Sequence, residues 1–161
     1  MNLVRVLTAA GIGTALLSHA PQATTTTQSV SVQVDAINQI ALTGVPSLLI
    51  NSAAPGSAPT SVTSVTNTWA VTTNQTGSTI SASIATVMPG GLTLSAIMAA
   101  PAGGASTGLH AIGTTPVALV TGVTKVNASS LNVTYQLDAT VAAGVITSAT
   151  KMVTFTIAGG V

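Results

Sequence analysis

Leu131, Val133, Tyr135, Leu137, Ala139 and Val141 alternate with Asn132, Thr134, Gln136, Asp138 and Thr140. After a break at Gly144 the same two-residue period resumes, with Val153, Phe155 and Ile157 set between Met152, Thr154 and Thr156. Side chains on a strand point to opposite faces in turn, so each run buries one face and wets the other. The short Ala/Gly/Ser segment between the runs predicts that they pair as an antiparallel hairpin.

The same period recurs upstream. Val30, Val32 and Val34 alternate with Ser31, Gln33 and Asp35, and an apolar run follows from Ile37 to Leu42. Further strands are predicted at Leu48–Ile50, Thr60–Val65, Thr68–Thr73, around Ile80, Ala82 and Ile84, from Leu92 to Met98, and at Val117–Val120. Asn74–Gly77 and Pro89-Gly90-Gly91 read as turns, with Ala100–Gly108 and Thr121–Ser129 as loops. Strands about every ten residues, with no helical period between them, predict an all-β antiparallel immunoglobulin-like sandwich of about 8–10 strands. Trp69, Tyr135 and Phe155 are its only large core anchors.

Charged residues make up 3% of the chain and hydrophobic ones 47%, and about a quarter are serine or threonine. Such hydrophobicity argues against intrinsic disorder. A solvent face built of hydroxyl groups is the consequence. No apolar run reaches the length of a membrane-spanning helix.

Met1–Ala23 has the layout of a secretory signal peptide: Arg5 in a basic n-region, an apolar Val6–Leu17, and a small-residue Ser18–Ala23, with cleavage expected after Ala23. Residues 24–36 form a threonine-rich lead-in and an N-terminal strand; residues 37–161 form the sandwich. Secretion, to the medium or the cell surface, is expected. Without Arg5 the charges are Lys125 and Lys151 against Asp35 and Asp138, a net of zero. Two lysines cannot neutralise the phosphates of a nucleic acid. Low net charge favours self-association.

Candidate chemistry is sparse. Gly104-Ala105-Ser106-Thr107-Gly108 matches the nucleophile-elbow pattern, but that motif needs a strand-to-helix turn and an acid followed by a histidine downstream. Here His110 precedes Asp138. One histidine, two aspartates and no cysteine beyond the leader fall short of a metal site, a thiol nucleophile or a tuned carboxylate pair. No catalytic residue, cofactor or metal is therefore expected. Asn74, Asn127 and Asn132 head Asn-x-Ser/Thr sequons and are candidate glycosylation sites.

Trp69-Ala70-Val71-Thr72-Thr73-Asn74 leading to Ile80, and Tyr135-Gln136-Leu137-Asp138-Ala139-Thr140 leading through Ala143-Gly144 to Val153-Thr154-Phe155-Thr156-Ile157, resemble the closing strands of prokaryotic secreted immunoglobulin-like sandwiches. That broad group is the pilin-like and spore-coat-protein-U-like one. The chain lacks the disulfide of many chaperone–usher pilins. The resemblance implies a surface or appendage subunit. Together with the leader and the neutral charge it leads to the expectation of a non-catalytic homo-polymer, a filament, pilus or surface layer. Val30, Val32 and Val34 would then plug a neighbour's sheet by strand addition. The same strand pairing within its own domain is the competing expectation. A monomeric secreted binding or adhesion module, of the carbohydrate-binding kind among others, is the alternative from another class.

Overall fold

The structure, a computed structural model, describes residues 22–64 and 67–160. The leader expected at Met1–Ala23 lies almost entirely outside these residues. The chain divides after Gln33. Residues 22–33 contain no strand and are exposed throughout. The unit that begins at Val34 is all β.

Its strands are β1 (Asn38–Thr43), β2 (Val62–Thr63), β3 (Asn67–Thr73), β4 (Ser78–Ile84), β5 (Leu92–Met98), β6 (Ala105–Ser106), β7 (His110–Ala111), β8 (Val117–Val123), β9 (Val126–Ala139) and β10 (Val153–Ala158). A 3-10 turn, Val141–Ala143, follows β9. No helix among the described residues is long and apolar enough to cross a membrane.

The strands form two antiparallel sheets. One has the order β1-β3-β9-β5-β7, with β2 also paired to β9; the other runs β10-β4-β8-β6. Their inner faces share one core. Trp69, Val71, Leu94, Ala96, Met98, Val133 and Tyr135 come from the larger sheet, and Ile80, Ala82, Ile84, Leu119, Val120 and Val123 from the smaller. The alternation of β4 and β5 lands as expected, with Ile80, Ala82, Ile84, Leu94, Ala96 and Met98 all buried. The Pro89-Gly90-Gly91 turn closes through a Leu92 N–H to Pro89 O hydrogen bond of 3.1 Å, with Gly91 at φ 80°.

The expected C-terminal hairpin does not form. β9 lies in the middle of the larger sheet between β3 and β5, while β10 pairs with β4 in the smaller one. Alternation fixes which face a strand buries but says nothing about its neighbour. Every link from β3 to β10 in fact passes from one sheet to the other.

Residues 121–129 are not a loop. β8 runs on to Val123 and β9 begins at Val126, leaving only Thr124 and Lys125 between them. A bulge explains why the sequence hid this. Trp69 faces Leu131 but Val71 faces Ala128, so β9 holds one extra residue opposite Ala70. Ser130 takes a positive φ of 56° there. The insertion shifts the inward positions from Val126 and Ala128 to Leu131, Val133 and Tyr135, which breaks the period. Leu48–Ile50 also forms no strand; that loop holds only an isolated bridge between Ala53 and Pro59.

Candidate assembly site

The two long outer strands of the sandwich are β1 and β10, one on each sheet, and both lie on the same side of the domain, with Asn38 Nδ2 donating to Gly159 O at 3.5 Å. Ser78 Oγ also donates to Gly159 O, at 3.2 Å, which closes this corner. The opposite edges, β6 and β7, are two residues long. Edge strands are usually blunted by charge, proline, a bulge or shortness. Shortness blunts β6 and β7. The sequences of β1 (NQIALT) and β10 (VTFTIA) contain neither charge nor proline, and their pairings with β3 and β4 run without a register shift.

The inner faces of these edges are incompletely covered. Ile40 on β1 and Val153, Phe155 and Ile157 on β10 pack against the core while only partly buried, and Leu42 is 39% exposed. Lys151, just before β10, is turned aside: its Nζ donates to Thr86 Oγ1 (3.0 Å) and Val87 O (2.8 Å). Asp138 is remote from the edge, on central β9, where it accepts from Ser61 Oγ and Gln136 Nε2. Of the two strands expected to pair as the C-terminal hairpin, only β10 lies at a sheet edge.

Val30, Val32 and Val34 belong to no strand and are 75%, 89% and 80% exposed. Just after them the chain is held by Asn74. Its Nδ2 donates to Asp35 O (2.7 Å), its Oδ1 accepts from Ile37 N–H (2.8 Å), and its own N–H donates to Ile37 O (3.2 Å). Sequence reasoning read Asn74 as a turn residue and sequon. An asparagine directly after a strand was the only signal of this role. Asn127 and Asn132 are exposed on β9.

Trp69 and Tyr135 are buried, and Phe155 half-buried. The Ser106 hydroxyl accepts from Gly108 N–H (3.3 Å), while His110 Nε2 lies 3.0 Å from Thr107 O. Ser106 is on β6 and His110 on β7, in different sheets, and no helix follows the motif. Among the described residues no three His, Cys, Asp or Glu side chains cluster as metal ligands.

No family model, curated protein or solved structure matches the chain.

Proposed function

We propose that this chain is a secreted, non-catalytic structural subunit that assembles into a filament, pilus or surface layer by strand addition between copies. The sandwich is read as immunoglobulin-like and pilin-like in kind, with Met1–Ala23 as its export signal. The observation that carries the proposal is the pairing of an unsatisfied acceptor with a ready donor. Among the described residues, β1 and β10 leave their outer main-chain groups without a strand, and Val30, Val32 and Val34 have no strand partner. Main-chain bonds would supply affinity and every second side chain the fit. The seven residues of Ser29–Asp35 are enough to cover the six of β10.

A chain beginning at Asp35 tests this, because it removes the valines and keeps the contacts of Asn74. The expected result is a folded monomer by circular dichroism and light scattering, beside fibres or sheets of the longer chain in negative stain. Ordered assemblies from the shortened chain, or only discrete particles from the longer one, would overturn it; the second outcome returns the molecule to the class of monomeric binding modules.

A further inference from the structure

We propose that Asn74 fixes the point at which the N-terminal arm leaves the domain, and so the register in which Val30, Val32 and Val34 meet a second copy. The register claim rests on the strand-addition reading; the anchoring claim does not.

The carboxamide does what a neighbouring strand would do. Its nitrogen meets the carbonyl of Asp35 and its oxygen meets the N–H of Ile37, on either side of Ala36. Only a side chain with both a donor and an acceptor can satisfy that pair. The Asn74 backbone extends the β1–β3 ladder one step past the Asn38–Thr73 pair, through its bond to Ile37 O. The seat itself is braced. Gln75 Nε2 donates to Asn74 Oδ1 (2.7 Å), Gln75 N–H donates to Thr73 Oγ1 (3.0 Å), and Lys125 N–H donates to Gln75 O (2.9 Å).

Register matters because a slip of one residue turns every valine to the other face. Releasing residues 35–37 would add up to about 10 Å of slack to the arm, at roughly 3.3–3.6 Å per extended residue. That is room for neighbouring registers on an acceptor edge. The anchor holds the arm to one.

The chain contains no cysteine, so introduced pairs report cleanly. The experiment has two parts. In the first, amide exchange at Ile37 is followed by NMR in the folded monomer of wild type, Asn74→Ala and Asn74→Asp. Loss of two ordinary hydrogen bonds corresponds to about a thirtyfold drop in protection. That drop is expected in Asn74→Ala, with the amides of Gln39 and Ala41, which face β3, unchanged. Asn74→Asp keeps the acceptor and is expected to keep Ile37 protected. In the second, Ser31→Cys on one copy, on the face opposite the valines, is oxidised against Gln39→Cys, Ala41→Cys, Thr154→Cys or Thr156→Cys on another. One acceptor position is expected to dominate in wild type, and several to share the yield in Asn74→Ala. Unchanged Ile37 exchange in Asn74→Ala overturns the anchor, and an unchanged cross-link pattern overturns the register claim. Absence of every cross-link in wild type sinks strand addition and the register claim with it, while Ile37 exchange still decides whether Asn74 anchors the arm.

Discussion

Tyr135 and Phe155 meet edge to face between the two sheets, ring centroids 6.5 Å apart and planes inclined at 78°. One ring belongs to β9 in the larger sheet and the other to β10 in the smaller, so the contact joins strands that share no backbone ladder. Such a pair adds about 0.5–1.5 kcal/mol beyond burial. With Phe155 only partly buried, Phe155→Ala is expected to cost about 2–3 kcal/mol. A lower urea midpoint with an unchanged slope checks it.

Burial raises the Tyr135 hydroxyl above its ordinary value of 10.0. The folded state therefore holds the phenol proton more tightly than the unfolded chain does. The stability this contributes is complete below about pH 10 and is lost as pH rises through the folded value. Denaturant midpoints between pH 9 and 12 are expected to fall on the alkaline side, and Tyr135→Phe to flatten that fall.

Ser130 is the pivot of the β9 bulge. Deleting it removes the extra residue, so Leu131, Val133 and Tyr135 fall into one unbroken period with Val126 and Ala128 and all keep the inner face. The deletion is therefore expected to keep the domain folded, read as a retained cooperative thermal transition. Ser130→Gly is also expected to keep it, because glycine tolerates the positive φ.

Gly91 and Gly90 make an internal comparison. At Gly91, φ is 80° and a Cβ would lie 2.5 Å from Ala143 N, whereas at Gly90 nothing lies within 4 Å. Gly91→Ala is expected to cost about 2–3 kcal/mol, from backbone strain and displacement of the 3-10 turn. Gly90→Ala is expected to stay within about 0.5 kcal/mol of wild type. Thermal melts of the two variants check the contrast.

Trp69 is 1% exposed, and among the described residues its indole nitrogen has no hydrogen-bond partner. Trp69→Phe removes that unpaired donor along with some volume, so the two effects oppose each other. A net loss under about 1.5 kcal/mol is expected, against about 3–5 kcal/mol for Trp69→Ala. Equal losses in chemical denaturation would refute the offset.

The faces of this fold were legible and its neighbours were not. Ile80, Ala82 and Ile84 could be placed inside from their spacing alone, because β4 keeps an unbroken period along its inner face. Val126 and Ala128 could not, because one inserted serine reverses the phase before Leu131. The pairing of β10 with β4 leaves no trace in a period-two pattern, which is the same for any partner. Of the candidate site, the arm was visible as alternating valines. The open edge was not, since an edge is defined by an absent neighbour. Asn74 was visible only as a turn former, because its carboxamide acts on residues 35 and 37, distant in sequence.

The crossing of every link from β3 onward has a consequence for the order of events as the chain folds. No two of those strands that are consecutive in sequence form a hairpin, so no two-strand hairpin can seed the structure. The central strand of the larger sheet, β9, is also the second-to-last to be synthesised. Until it emerges, β3 and β5 have nothing between them. Loop closure must come before any contact repays it, which places folding in the slow, millisecond-to-second range of non-local β topologies. A chain truncated before Val126 keeps the pairs β1–β3 and β5–β7 but has nothing to join them, so the larger sheet closes only when nearly the whole chain has been made.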